Sequence, residues 1–301
     1  MSTASKARAQ GLQLAPAKKH DWKELFFHLL FLASAMIGVV SVATIGWFVF
    51  QEGLPAFKEA GIFNLVFGRE WLPPALYGIF PMIVSTLIST TGAVIIGVPI
   101  AILTAVFLAE LAPKWLADIV RPAVELLAGI PSVVYGFFGL VIIVPAIEVI
   151  FNIPAGNTIL AGIIVLAIMI LPTVITISET SLRALPPVYK ESALALGASH
   201  IYSIFKVLIP AARSGIFTGV ALGVARAIGE TMAIIMVMGN APAMPGSLLE
   251  PARTLTANIA MEMSYATGIH SSALYSTGIV LLLFIVLLNA SLLYLNRKRS
   301  D

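Results

Sequence analysis

Residues 179–213 read ETSLRALPPVYKESALALGASHIYSIFKVLIPAAR, a long polar segment set between two strongly apolar runs. Pro186 and Pro187 fit a helix start, Tyr189 to Leu196 are good helix formers, and Gly197 suits a C-cap or sharp turn. A second short helix, roughly Ser199 to Leu208, is predicted to follow, with Ser199 as its N-cap and Pro210 as its stop. Leu194, Ile201, Ile204 and Phe205 would give this helix-turn-helix one apolar face on an otherwise charged loop. A face of that kind requires a cover.

Outward from the loop, the 301-residue chain is 59% hydrophobic and 11% charged, with a mean hydropathy of +0.98. That leaves too little polar surface to enclose the apolar content as a soluble globule. A bilayer core of about 30 Å needs about 20 apolar residues per helix. Runs of that size lie at 25–50, 81–109, 126–147, 153–178, 214–238 and 271–295. The expected fold is therefore an all-α membrane protein with six transmembrane helices in one membrane domain, 25–296. A basic tail, 1–24, precedes it, the loop 179–213 interrupts it, and a short C-terminus, 297–301, follows. The first run exceeds the apolar core of about 7–15 residues of a cleavable signal peptide, so it is read as retained.

Fourteen lysines and arginines fall on the side of the loop and both termini, whereas Lys58, Arg69 and Arg253 lie on the other. Cytoplasmic segments keep such an excess, so the loop and both termini are expected in the cytoplasm. Because the basic residues sit between apolar runs, the net charge of +3 reads as topology, and no nucleic-acid partner is expected. The absence of cysteine excludes disulfides and thiolate chemistry. His20, His28, His200 and His270 show no ligand spacing, so neither a metal nor a cofactor is predicted. No Gly-x4-Gly-Lys-Ser/Thr loop occurs, so the chain is not expected to supply a nucleotide site of its own.

The fifth run carries charge. On a continuous helix, Gly215, Gly219, Gly223, Arg226 and Glu230 fall within an arc of roughly 80°. The glycines let a neighbouring helix approach closely. Arg226 would lie about 18 Å in from Arg213, near the midplane. A cation there costs at least about 2.5–3.5 kcal/mol on insertion scales, so it needs protein, water or a counter-ion around it. Two readings follow: a salt bridge to Glu230 that locks helices together, or a translocation site where Arg226 attracts an anion and Glu230 balances or gates it.

The residues resemble a known family at this point. Glu191, Ser192, Ala193, Gly197, Val207, Ile209 and Pro210 are similar to the EAA signature of ABC importer permeases, Glu-Ala-Ala-x3-Gly-x9-Ile-x-Leu-Pro. Ser192, Val207 and Ile209 depart conservatively and leave the spacing intact. The run Arg226-Ala-Ile-Gly-Glu-Thr-Met-Ala233 resembles the fifth-helix signature of phosphate importer permeases of the PstC type. Leu127 to Gly139 gives a second match; Trp71, Pro73, Tyr77, Gly78 and Pro81 give a weaker third, with Ser85 where glycine is expected. The resemblance covers roughly residues 70–240.

It implies the type I, MetI-like permease fold in a bacterial inner membrane and import of inorganic phosphate. It also implies two copies of an ABC ATPase docked on the loop through Glu191, Ala193, Gly197, Ile201 and Pro210, a homologous PstA-type permease and an extracytoplasmic phosphate-binding protein. A guanidinium can grip a tetrahedral oxyanion through two hydrogen bonds, but that chemistry does not separate phosphate from sulfate. A secondary anion transporter would show paired broken helices in two repeats, which the sequence does not display.

In the third run, Ser132 and Tyr135 are candidates for lining the path beside backbone groups freed at Pro131; a kink with small-residue packing is the alternative. Glu148 and Glu179 read as solvated carboxylates at span ends. Trp47, Trp71 and Tyr77 fit an interfacial aromatic belt.

Overall fold

The structure is a computed structural model that describes residues 22–298; most of the predicted basic tail and the last three residues lie outside them. Its helices, numbered here in chain order, are α1 (Trp22–Glu59), α2 (Ile62–Phe67), α3 (Phe80–Leu111), α4 (Lys114–Gly129), α5 (Ser132–Phe151) and α6 (Ile159–Arg183). They continue as α7 (Val188–Ala195), α8 (His200–Ala211), α9 (Arg213–Gly229), α10 (Met232–Val237), α11 (Leu255–Glu262) and α12 (Ile269–Lys298). A two-stranded antiparallel hairpin, β1 (Trp71–Leu72) and β2 (Leu76–Tyr77), precedes α3.

Five helices are long and apolar enough to cross a membrane, and the bent pair α8–α9 makes up to six. The fold is an all-helical membrane bundle. The chain divides into two units, residues 1–48 and 49–301. In the first, the described residues form most of α1, where Phe31, Ile37 and Val42 are exposed; such a surface suits lipid rather than water.

In the second unit, α6 is the central helix. Ile159, Leu166, Met169 and Ile170 are at most 1% exposed, because α6 is apolar all round and enclosed by α3, α5 and α9. Glycines set the closeness of these contacts. A Cβ on Gly97 of α3 would stand 2.9 Å from the Ala167 carbonyl oxygen, and one on Gly223 of α9 would stand 2.7 Å from Val174. The stripe Gly215, Gly219 and Gly223 faces Ser181, Ile177 and Val174 of α6. Thr158 caps α6, its hydroxyl accepting from the Ala161 amide at 3.3 Å.

Several boundaries differ from the apolar runs, and each has a local cause. The run 126–147 is cut at Ile130–Pro131, so that α4 ends at Gly129 and α5 starts at Ser132; proline disfavours helical geometry in the residue before it. Asn152 adopts a left-handed conformation that ends α5, and α6 begins at Ile159 instead of Ile153. At its far end α6 continues through Glu179 to Arg183, five residues of the expected loop. The run 214–238 is cut at Glu230–Thr231 into α9 and α10. At 17 residues, α9 spans about 26 Å and needs the adjoining α10 to traverse a full bilayer core.

Substituting Gly97 or Gly223 with valine should lower the thermal midpoint of the detergent-solubilised protein by the equivalent of about 1–3 kcal/mol of overpacking. Gly38→Ala, where nothing lies within 4 Å, should leave it within error.

Candidate translocation site and docking loop

Each helix break frees backbone groups, and the sequence supplies substitutes for them. Pro131 has no N–H to give the Leu127 carbonyl one turn earlier. The Tyr135 hydroxyl donates to that carbonyl at 2.7 Å, beside the Ile130 amide at 3.3 Å. At the second break, Glu230 is extended, with ψ at 133°, and its carboxylate accepts the Ala233 amide of α10 at 3.0 Å. Its carbonyl accepts the Thr256 hydroxyl of α11 at 2.8 Å. The two helices that start anew then lie against each other. A Cβ on Gly136 of α5 would come within 2.7 Å of the Ala233 Cα of α10.

This geometry corrects the sequence picture of Arg226 and Glu230 as neighbours on one helical face. The α-helix ends at Gly229, so Glu230 leaves the stripe and serves as the cap of α10, 8% exposed. No ion pair joins the two side chains among the described residues. Arg226 is half-buried, and its guanidinium donates to the Thr173 hydroxyl of α6 at 3.2 Å. It is within electrostatic reach of the Tyr135 phenol. Ser132, the first residue of α5, is half-buried. Arg226 and Thr173 thus come together from two different runs. Thr173 was not foreseen, because a threonine within an apolar helix gives no signal beyond its own polarity.

In the loop, α7 starts after Pro187, and Ser199 caps α8 by accepting the Tyr202 amide at 3.2 Å. Gly197 has φ of +87°, a left-handed conformation that a side chain disfavours. Helix α8 runs through Pro210 to Ala211, one residue past the expected stop. A π-helical turn at Ile204–Leu208 widens the chain ahead of the proline. Ile204 is fully buried against Val106, Leu182 and Leu208, so it belongs to the loop's anchor and not to its outer face. Leu194, Leu196, Ile201, Tyr202 and Phe205 form the exposed face. Glu191, Gly197, Ile201 and Pro210 are exposed, whereas Ala193 is buried.

Charged residues that looked solvated are sequestered. Glu179 is 8% exposed, and its carboxylate takes Arg121 of α4 at 2.6 Å and Arg183 at 2.9 Å. Glu110, at the end of α3, takes Lys190 of α7 at 2.6 Å. At the other end of α3, Trp71 is buried rather than exposed as in an aromatic belt. Its indole donates to Glu262 at 2.9 Å, and Glu262 also binds His270 and Arg253. The Tyr77 phenol nearby is held above its usual range, first by burial and then by the Glu59 charge, so it stays protonated near neutrality.

Tyr135→Phe should remove the shorter of the two hydrogen bonds to the Leu127 carbonyl, leaving the Ile130 amide at 3.3 Å, and cost about 0.5–1.5 kcal/mol of thermal stability. An unchanged melting midpoint would mean that the Ile130 amide alone satisfies the carbonyl.

Comparison with known proteins bears on this arrangement. Residues 97–301 match the family described as "Binding-protein-dependent transport system inner membrane component". The probable ABC transporter permease protein YqgH of Bacillus subtilis is 38% identical over 90% of this chain and 90% of its own length. The phosphate transport system permease protein PstC of Pasteurella multocida is 38% identical over 79% of this chain and 82% of its own. Among solved structures, a bacterial alginate ABC transporter chain superposes with a TM-score of 0.66 at 16% identity, covering 94% of this chain and 99% of that one. An inward-facing MetNI methionine transporter chain gives 0.56 at 20%, covering 74% and 95%. The chain is therefore a multi-pass membrane permease subunit, with no enzymatic activity of its own, belonging to the inner-membrane component family of binding-protein-dependent ABC importers.

Proposed function

We propose that this chain is the PstC-type subunit of an ATP-driven importer that carries inorganic phosphate into the cytoplasm. The family works with an ATPase and a substrate-binding protein. The observation that carries the cargo assignment is Arg226: a half-buried guanidinium whose described partner is a neutral hydroxyl, Thr173. An uncompensated cation within an apolar bundle is costly, and an anion that reaches it recovers that cost. A tetrahedral oxyanion matches the guanidinium fork through two charge-assisted hydrogen bonds. Relatives named as phosphate transport permeases support phosphate over sulfate.

In this reading Glu230 stands at the hinge between α9 and α10, bounding the anion's path on the side away from the loop. Ser132 and Tyr135 line the path from α5. The second permease of the PstA type completes the pathway, and two ATPase copies supply the power strokes. One of them covers the exposed apolar face of α7–α8 through Glu191, Gly197, Ile201 and Pro210, with Ala193 buried beneath as support. The excess of lysine and arginine at the loop end supports a cytoplasmic position for that face and for both termini. The extracytoplasmic binding protein then approaches the hairpin and α11 at the other end. ATP-driven closure moves the loop, and because α8 runs into α9 through a bend of 70°, the movement reaches the helix that carries Arg226.

Arg226→Gln should preserve assembly while abolishing phosphate uptake into vesicles that hold the whole complex; near-normal uptake sinks the pathway role. Sulfate uptake in the same vesicles, in place of phosphate, would reassign the cargo. Gly197→Trp, which forces a side chain onto the left-handed turn, should leave ATP hydrolysis running with little transport. Intact coupling in that variant removes the docking assignment.

A further inference from the structure

We infer that Glu110 and Lys190 form a latch that ties the docking loop to the end of α3, and that Glu110 is a positioning residue for coupling ATP hydrolysis to transport. The inference rests on the reading of α7–α8 as the ATPase docking loop.

Helix α7 has its main packing against the loop's own second half, α8. Among the described residues, its ion pair to a membrane-spanning helix is Lys190 Nζ to Glu110 Oε2 at 2.6 Å. The two side chains differ in their surroundings. Lys190 is 35% exposed, while the Glu110 carboxylate is only 13% exposed, lodged in the π-helical turn Phe107–Leu111 where α3 ends. A carboxylate so enclosed depends on its cation, and withdrawal of the lysine leaves a poorly solvated charge behind. The pair therefore resists separation more than a solvated surface bridge does.

A second nitrogen lies near the same oxygen. His200 Nε2, at the start of α8, lies 3.8 Å from Glu110 Oε2; the atom is buried and has no hydrogen-bond partner. Both halves of the loop thus converge on one carboxylate of α3. Force applied to α7 by the ATPase would reach α3, and through Gly97 and Gly92 its tight contact with α6, without passing through α9. The Arg121–Glu179–Arg183 cluster does different work: it joins α4 to α6 and involves neither loop helix.

The test uses the complete complex of both permeases and the ATPases in proteoliposomes, with phosphate-loaded binding protein, and reads phosphate transported per ATP hydrolysed. Glu110→Lys and Lys190→Glu, each leaving like charges face to face, should lower that ratio about fivefold or more. The double reversal E110K/K190E should bring it back to within about twofold of the parent, because the attraction is restored with opposite polarity. Unchanged ratios in the single variants, or an assembled double variant that stays uncoupled, overturn the latch. If a reversal blocks assembly, Glu110→Gln and Lys190→Met take its place; a lowered ratio in both supports the latch, and an unchanged ratio in either overturns it. Gly197→Trp run in parallel separates the two ideas. If it uncouples while the Glu110 and Lys190 variants do not, only the latch falls; if it too leaves the ratio unchanged, the docking reading falls with it.

Discussion

A polar backbone group in a bilayer must find its partner inside the protein, and the breaks at Pro131 and Glu230 withdraw partners that a continuous helix would supply. Pro131 removes an amide, and the turn at Glu230 interrupts α9 from α10. The rest of the arrangement follows from how these losses are made good. Tyr135 reaches back to the Leu127 carbonyl, Glu230 caps the new helix at Ala233, and Thr256 comes from α11 to take the Glu230 carbonyl. Once the breaks are satisfied in this way, α5 and α10 can start at places that let Gly136 and Ala233 meet. The geometry around Arg226 is a product of that repair. A straight fifth helix would have offered Glu230 to Arg226 as a neighbour one turn away, and the cation would have been neutralised within its own helix.

The same economy of charge governs the loop end. Glu110 and Glu179 each lie deep enough to require cations, and each draws them from a different element: Glu110 from α7, Glu179 from α4 and from its own helix. Desolvation makes these pairs directional ties and not a diffuse surface field. The opposite end has its counterpart in Glu262, which collects Trp71, Arg253 and His270 from the hairpin, the segment before α11 and the start of α12. In an apolar bundle, the ends are where polar side chains can both meet and exclude water, so the elements that must move together are joined there.

The apolar runs coincide with five long helices and one bent pair, but the full breaks at Pro131 and Glu230 and the passage of α8 through Pro210 were not foreseen. Ser199 and Gly197 do what short-range chemistry asks of them, one accepting an amide and the other adopting positive φ. Exposure was less legible. Ile204 and Ala193 share the loop with Ile201 and Phe205, yet the first two are buried and the latter two exposed. A helix of a few turns has too few apolar positions for its period to separate an anchored face from a free one. Trp71 likewise matched an interfacial aromatic until Glu262, 191 residues away, proved to hold its indole.

What the sequence determined by itself were the properties set by local chemistry and solvent: a membrane solvent, helical spans, a loop whose turn demands glycine, and a charge near the middle of an apolar run. Whether the fifth run continues or breaks was not among them. Gly229, Glu230 and Thr231 are compatible with a helix in isolation, and the break becomes favourable only when Thr256 and the α10 amides are there to take up the freed groups. Tertiary structure therefore decided that Arg226 bonds Thr173 rather than Glu230. That partner lies 53 residues earlier in the chain, and no local pattern encodes that distance.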